Sequence, residues 1–246
     1  MKTLITAGKG GTGKSSVLAY LYRLHFLEEL PGRLLIVDAD PQQSLSVLLG
    51  VEDVCSLGDL RRQRRVELQR GTGIENLSRR EFARQFVQES LRPLTERVDY
   101  LAMGRNDEPG CQCIVNTLLS RALETVAADY EWVLVDNEAG LEPMGRHGWA
   151  VDVLLLFANP HPVDMRAAYQ IIRQAQDTRR EIRCAGMVLN RTRGQPDPEG
   201  MPVPLLGTLP YSEALERGHF PDAGWVEALG TIWHRLLGEI LLAVER

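Results

Sequence analysis

The sequence has no hydrophobic run long enough to cross a membrane. Its longest apolar stretch, Val151–Ala158, still contains Asp152 and falls far short of the roughly 20 residues that span a bilayer as a helix. The N-terminal segment reaches its first glycine, Gly8, too early for a secretory signal peptide. We therefore expect a cytoplasmic protein with no membrane partner.

An excess of positive charge is also missing. The chain has 33 Asp and Glu against 28 Lys and Arg, which gives a formal net charge of −5. No overall field therefore draws it to nucleic acid or to anionic lipid. Beyond a short arginine cluster at 61–65, no basic cluster that could bind DNA stands out, and no nucleic-acid partner is expected.

What the sequence does contain is an alternation of apolar runs and amphipathic stretches. The chain has 246 residues, 44% hydrophobic and 25% charged, as in ordinary globular proteins. The alternation predicts an α/β fold of βαβ units, with a mainly parallel twisted sheet flanked by helices in a single domain over 1–246. A stretch at about 52–97, rich in Arg, Glu and Gln, is predicted to be a helical surface insertion. Strands are expected at Thr3–Ala7, Leu34–Asp38, Asp99–Met103, Trp132–Asp136, Asp152–Phe157, Ala185–Asn190 and Pro204–Leu209, and helices at Lys14–Leu30, Gln112–Ala128, Asp164–Thr178, Ser212–Arg217 and Val226–Val244.

A glycine-rich loop follows the first predicted strand. It satisfies the pattern G-x-x-x-x-G-K-S between a strand and a helix, which indicates a P-loop NTPase that binds ATP or ADP with Mg²⁺. Glycines leave backbone N–H groups open to phosphate, and the following helix N-terminus adds a favourable dipole. Lys14 would neutralise the β- and γ-phosphates, and the Ser15 hydroxyl would ligate Mg²⁺. The nucleotide-binding residues expected here are Gly8, Lys9, Gly10, Gly11, Thr12, Gly13, Lys14, Ser15 and Ser16.

Lys9 is a second lysine that an ordinary P-loop does not need. The string from Lys9 to Ser15 resembles the deviant P-loop of the MinD, ParA and nitrogenase iron protein superfamily. In that superfamily the first lysine reaches the nucleotide phosphates of the partner subunit and places charge where the transition state needs it. The resemblance implies a nucleotide-sandwich homodimer with Lys9 catalytic in the opposite subunit. A solvated loop lysine is the other interpretation.

Two carboxylates follow the second predicted strand, where Val37 leads into Asp38-Ala39-Asp40. Ligands of such sheets bind at the carboxyl edge, where this strand ends. In the superfamily pattern this segment is switch I. Asp40 is then assigned to orienting or activating the attacking water, and Asp38 to the outer shell of Mg²⁺. A simple turn carboxylate is the alternative for either residue.

The fourth predicted strand also closes on an acid, Asp136. An apolar run that ends in Asp is the Walker B pattern, which holds Mg²⁺ directly or through water. The residues after it correspond to switch II, the segment expected to move when the γ-phosphate leaves. Gly140 would let its N–H group approach that phosphate.

An adenine site is expected from two further strand ends. Asn190 ends its predicted strand, and an amide offers both a donor and an acceptor to an adenine edge. The superfamily uses an asparagine at this place, and Leu209-Pro210-Tyr211 resembles the segment that lines its adenine pocket. The alternative for Asn190 is a cap on the loop that follows its strand.

The cysteines Cys111 and Cys113 form a C-x-C pair. In the cytoplasm, thiols or metal ligands are expected rather than disulfides. One C-x-C cannot complete a tetrahedral site, but a two-fold dimer axis would supply the same two thiolates again. The pair would then hold Zn²⁺ or Ni²⁺ between subunits. Two packed thiols are the alternative.

The motifs together resemble the CooC family of ATPases, which help insert nickel into carbon monoxide dehydrogenase. The resemblance rests on the deviant P-loop, on Gly110-Cys111-Gln112-Cys113 before an amphipathic helix, and on the switch segment from Asp136 to Glu142 with Gly145-Arg146. One departure is Pro143, where a histidine is expected. The resemblance implies a homodimer with carbon monoxide dehydrogenase as client. A ParA/MinD-like positioning ATPase and an iron–sulfur redox partner are the alternatives.

Overall fold

The computed structural model describes residues 1–60, 62–63, 79–104, 126–137, 151–177, 181–194 and 200–244. Eight strands run through these residues, and the neighbouring strands within each half of the sheet pair in parallel, except for one antiparallel pair at the edge. In the described part of the chain, helices separate the first strand from the second, the second from the third and the sixth from the seventh, and two more follow the eighth. The predicted α/β class with a mainly parallel sheet flanked by helices is therefore confirmed. One domain over 1–246 stays a prediction.

The contacts of the chain divide it into two compact units. The first unit holds Met1–Lys2 and the described residues from 31 to 136, and the second holds Thr3–Leu30, Asn137 and the described residues from 151 onward. The strand order is β3-β4-β2-β5 in the first unit and β1-β6-β7-β8 in the second. The strands are β1 Lys2–Gly8, β2 Leu34–Asp38, β3 Arg92–Thr95, β4 Val98–Ala102, β5 Trp132–Asp136, β6 Val151–Ala158, β7 Ile182–Thr192 and β8 Leu205–Pro210.

In the described part of the chain, helices lie close to four predicted ones, whereas the short helix Ser44–Leu49 was not predicted; the four are Lys14–Leu30, Asp164–Thr178, Ser212–Arg217 and Val226–Val244. A helix was expected over Lys14–Leu30, but it changes its hydrogen-bond pattern at a π-helical turn, Tyr22–Phe26. Phe26 of this turn packs against Trp233 with ring centroids 4.6 Å apart. The helices are α1 Lys14–Leu21, α2 Leu27–Glu29, α3 Ser44–Leu49, α4 Arg79–Ser90, α5 Pro162–Asp177, α6 Glu213–Glu216 and α7 Ala223–Val244.

The stretch predicted as a helical insertion is only partly helical. Helix α4 lies in it, but Arg92–Thr95 forms the short edge strand β3, antiparallel to β4. Pro93 accounts for the change, because proline lacks an N–H donor and disrupts a helix interior while an edge strand tolerates it. The helical expectation for these four residues was wrong.

The core of the second unit forms between the sheet and α7. This helix buries apolar side chains at three- and four-residue spacing, as an amphipathic helix on a sheet should. Gly207 of β8 lets the helix approach, because a Cβ atom there would lie 2.6 Å from Ile232 Cγ1. None of the helices in the described residues combines the length and the hydrophobicity that spanning a bilayer requires. The buried side chains of α7 are Trp225, Leu229, Ile232, Trp233, Leu236 and Ile240.

Candidate nucleotide-binding site

The phosphate loop, residues 8–16, connects the buried end of β1 to the start of α1. Gly13 has φ +87°, and a Cβ atom on it would lie 2.2 Å from Asn190 Nδ2. Gly8 is equally constrained, because its Cβ would lie 2.4 Å from the carbonyl oxygen of Phe157. Gly10 has open space around its Cβ position. Packing therefore explains Gly8 and Gly13, whereas Gly10 leaves its backbone open to a ligand.

Lys14 is buried at the centre of the loop. Its ammonium donates to the main-chain oxygens of Gly8 at 3.2 Å and Lys9 at 3.1 Å. The Thr12 hydroxyl donates to the same Lys9 oxygen at 2.9 Å. These bonds fix the curvature of the loop around one positive charge, as a site for phosphate requires.

Lys9 lies in a different environment, with its side chain 50% exposed. Its Nζ atom is 3.0 Å from Asp164 Oδ1, near the start of α5. Asn159 Nδ2 donates to the other oxygen of Asp164 at 2.8 Å. Burial acts to raise the pKa of Asp164, but the hydrogen bonds from Lys9 and Asn159 keep it below its ordinary value. Sequence reasoning missed Asp164, although it follows the carboxyl end of β6 by a few residues.

In the first unit, Asp38 and Asp136 are register partners at the ends of β2 and β5. The Tyr100 hydroxyl donates to Asp38 Oδ2 at 2.9 Å, and the N–H of Asp40 donates to Asp38 Oδ1 at 3.1 Å. Burial is the main cause that raises the pKa of Asp38 to about 7, and the neighbouring charge of Asp136 adds to it. Carboxylate oxygens are the ligands Mg²⁺ prefers, so these two side chains fit that ion. Tyr100 was not foreseen from the sequence.

Asp40 lies in the turn after β2. One of its carboxylate oxygens accepts from the N–H of Gln42 at 2.8 Å, and the other from the Ser44 hydroxyl at 3.4 Å. Its contacts are those of a turn carboxylate, so the water-activating role assigned to it stays a prediction.

A cavity of about 160 Å³ opens beside the phosphate loop in the second unit. Asn190 Nδ2 donates to the Thr12 main-chain oxygen at 2.9 Å, and Asn190 Oδ1 accepts from the Arg191 N–H. The structure thus brings together the predicted base-site residues Asn190 and Pro210, and ties Asn190 to the loop. The cavity is lined by Gly13, Ser16, Val17, Asn190, Arg191, Pro210, Ser212, Leu215, Glu216 and Trp225.

A model of the CobQ/CobB/MinD/ParA nucleotide-binding domain matches residues 3–219 of the chain. The chain belongs to this family. An uncharacterised ATP-binding protein of Methanocaldococcus jannaschii is 29% identical over 219 residues, covering 86% of this chain and 85% of that protein. The carbon monoxide dehydrogenase accessory protein CooC of Rhodospirillum rubrum is 29% identical over 243 residues, covering 88% and 86%.

Solved structures of cell-division ATPases have the same fold. MinD of Aquifex aeolicus matches with a TM-score of 0.64 at 18% identity, covering 97% of both chains. MinD of Pyrococcus horikoshii in complex with Mg-ADP matches with a TM-score of 0.62 at 20% identity, covering 94% of this chain and 93% of that one. The chain is a member of a nucleotide-binding family with this fold, and it is a P-loop ATPase.

Three predicted site residues, Gly140, Cys111 and Cys113, lie outside the described residues. Where the chain is described, no three His, Cys, Asp or Glu side chains are grouped as a metal site. Cys55 and Cys184 are free thiols. The interface metal site therefore stays a prediction from the sequence pattern.

Proposed function

We propose that this chain is a cytoplasmic Mg-dependent ATPase that dimerises on nucleotide and helps insert nickel into carbon monoxide dehydrogenase. The observation that carries the proposal is the similarity to the CooC accessory protein, which extends over most of both chains. The C-x-C pair of Cys111 and Cys113 supports it, because this pair offers ligands for the metal that such a factor would deliver.

The loop residues would bind and neutralise the triphosphate. The Lys14 ammonium lies within the loop, on the main-chain oxygens of Gly8 and Lys9, and from there it would neutralise the β- and γ-phosphates. By the sequence motifs, Ser15 would ligate Mg²⁺, Asp136 would hold it directly or through water, and Asp38 would belong to its outer shell. The ion would supply charge neutralisation at the transferring phosphoryl group. Asp40 would orient the attacking water. The base would enter the cavity beside Asn190 and Pro210.

Lys9 would complete the site of a second copy of the chain. Its partly exposed ammonium is held by one carboxylate, Asp164, so it can exchange that partner for a phosphate. A dimer that closes on ATP would draw Lys9 away from Asp164, and hydrolysis would return it. The nucleotide would thereby control whether the two chains stay together.

A metal shared by two chains would couple delivery to this cycle. Cys111 and Cys113 give two thiolates per chain, and a tetrahedral ion needs four, so one Zn²⁺ or Ni²⁺ would bind per dimer. An ion that requires both chains stabilises the dimer by linkage. Opening of the interface after hydrolysis would break the ligand set and release the ion to the client enzyme.

Equilibrium sedimentation combined with metal analysis tests the proposal. One metal per two chains is expected, together with loss of metal and of metal-induced dimers in the Cys111→Ser/Cys113→Ser variant. Cys55→Ser/Cys184→Ser is the matched control, because both of these cysteines are free thiols and partial burial raises the pKa of Cys184, which disfavours its thiolate. One metal per chain, or full metal retention in the Cys111→Ser/Cys113→Ser variant, would contradict it.

A positioning ATPase of the MinD or ParA kind is the second candidate, because the solved structures with this fold include MinD and ParA proteins. Salt-dependent retention on DNA, or binding to anionic vesicles, together with an absence of metal, would favour it. A visible absorption spectrum of anaerobically purified protein separates both candidates from an iron–sulfur redox partner.

A further inference from the structure

Two charged side chains face the cavity beside the phosphate loop. Arg191 is the last but one residue of β7, and Glu216 is the last residue of α6; both line the cavity. The Nη2 atom of Arg191 lies 2.7 Å from Glu216 Oε1. A second guanidinium nitrogen of Arg191 donates to the Gly11 main-chain oxygen at 3.4 Å. The ion pair therefore joins the phosphate loop to the far wall of the cavity.

The backbone of Arg191 is held in an unusual conformation. Its φ is +57°, in the left-handed region that a residue with a long side chain rarely adopts. The Arg191 N–H donates to Asn190 Oδ1 at 2.9 Å in this conformation. Such backbone strain is retained where the surrounding structure requires it, often at ligand sites. Here it directs the guanidinium to Glu216 and to the loop.

Each of these charges, if left alone, would favour guanine. A carboxylate only accepts hydrogen bonds, and guanine presents two adjacent donors, N1–H and N2–H₂. A guanidinium only donates, and it binds the O6 and N7 acceptors of guanine with two bonds. Adenine offers neither pair, because its exocyclic group is a donor beside ring acceptors. Either free charge would therefore bind guanine more strongly than adenine.

We infer that the Arg191–Glu216 ion pair makes this cavity selective for adenine. In the pair, the carboxylate of Glu216 binds the guanidinium of Arg191, so neither charged group is free to bind guanine. The inference rests on the proposed base site in the cavity and is independent of metal delivery. It assigns a specificity role to Arg191 and Glu216, neither of which contacts the reacting phosphate.

Titration calorimetry with ADP and GDP tests the inference on four proteins: the parent, Arg191→Ala, Glu216→Ala and the double variant. Each single variant frees one charge, so the ratio of GDP to ADP dissociation constants should fall roughly tenfold. The double variant has neither charge and should return towards the parent ratio. Arg217→Ala is the matched control, since Arg217 directly follows α6 and pairs with Glu213, and neither residue lines the cavity.

Leu215→Trp separates failure of the inference from failure of the base-site assignment. The larger side chain should fill the cavity and weaken ADP binding at least tenfold. Binding of inorganic tripolyphosphate, which uses the phosphate loop alone, should persist and verifies folding of every variant. Unchanged ADP affinity in Leu215→Trp would show that the base does not bind in the cavity. It would overturn both the base-site assignment and the ion-pair inference. Weakened ADP binding there, with parent-like ratios in Arg191→Ala and Glu216→Ala, would overturn the ion-pair inference alone.

Discussion

The lysines of the phosphate loop and the aspartates at the ends of β2 and β5 carry opposite charges and lie in different surroundings. Lys14 has two main-chain oxygens within hydrogen-bond distance, and Lys9 has the carboxylate of Asp164. Asp38 is buried close to Asp136, and its pKa is raised to about 7 by burial and by that like charge. The two lysines of the loop therefore have hydrogen-bond acceptors beside their ammonium groups, whereas the surroundings of Asp38 disfavour its ionised form.

This difference concerns two steps of nucleotide binding, the binding of the phosphates and the binding of Mg²⁺. Lys14 is held in the loop beforehand, which lowers the reorganisation needed when phosphate arrives, whereas Lys9 must first leave Asp164. The aspartates gain most from a cation, because Mg²⁺ would offset the repulsion between them and favour the ionised form of Asp38. Changes to the lysines should therefore act mainly on turnover, and changes to the aspartates on the dependence on Mg²⁺ and pH.

The largest effect is expected from Lys14→Ala. The variant removes a buried charge that is fixed by the carbonyl groups of Gly8 and Lys9, so ATP hydrolysis should fall roughly a thousandfold. Steady-state phosphate release measures it. Lys2→Ala is the control, because the Lys2 ammonium lies 5.0 Å from the centroid of the Trp132 ring and is no part of the phosphate-binding motif. Parent-like turnover in Lys14→Ala would contradict the site assignment.

Lys9→Ala should show that Lys9 acts in hydrolysis and contributes little to nucleotide affinity. The Lys9 ammonium is proposed to act on the nucleotide of a second chain, so hydrolysis should fall roughly a hundredfold while ADP affinity stays within a few-fold of the parent. Calorimetry and phosphate release on the same preparation measure both quantities. Hydrolysis at the parent rate would show that Lys9 is a solvated loop residue.

Asp136→Ala and Asp40→Ala should also differ in their effects, the first on Mg²⁺-dependent binding and the second on hydrolysis. Asp136→Ala should weaken nucleotide binding only when Mg²⁺ is present, because it removes a carboxylate ligand of the ion. Asp40→Ala should bind Mg-ATP and accumulate as a dimer that does not hydrolyse it. Titrations with and without Mg²⁺, combined with sedimentation, measure this; identical behaviour of the two variants would refute the division of roles.

The sequence predicted the loop and the strand ends well, for a local reason. Glycine spacing, the following lysine and apolar runs that close on Asp38 or Asp136 are patterns within a few consecutive residues. The convergence of Asn190 and Pro210 on the loop followed from parallel topology, since the carboxyl ends of parallel strands lie at one edge. These features need no knowledge of side-chain packing.

The partners of the charged residues could not be predicted in this way. Tyr100 is 62 positions from Asp38, and Asp164 is 155 positions from Lys9. Such pairs depend on strand order and on side-chain direction, which no local pattern encodes. The edge strand β3 was missed because Arg92 and Pro93 belong to a stretch whose charged composition favours a helix.

The pH dependence of stability should reflect Asp38. Its pKa is raised from 3.8 to about 7 in the folded chain, so between these values the native state holds a proton that the unfolded chain has lost. The free energy of unfolding should therefore decrease as pH rises from about 4 to about 7, by up to about 4 kcal/mol, and level off above. Asp38→Asn should lose this component, and urea unfolding across the range measures it. An unchanged slope in the variant would mean that other groups cause it.

The smallest effect is expected from Asp164→Asn, which changes the ion-pair partner of Lys9 and leaves both loop lysines in place. The substitution removes the charge that holds Lys9, but it keeps a side-chain oxygen that can accept from Asn159. The ion pair includes a half-exposed lysine, so stability should change by no more than about 1 kcal/mol. Because the resting lysine would be less firmly held, ATP-dependent dimerisation should strengthen by roughly two- to fivefold. Sedimentation with a non-hydrolysable ATP analogue measures the dimer dissociation constant, and Arg183→Ala, which breaks the exposed ion pair with Asp152, provides a control. Weaker dimerisation in Asp164→Asn would mean that Asp164 orients Lys9 for its partner rather than restraining it.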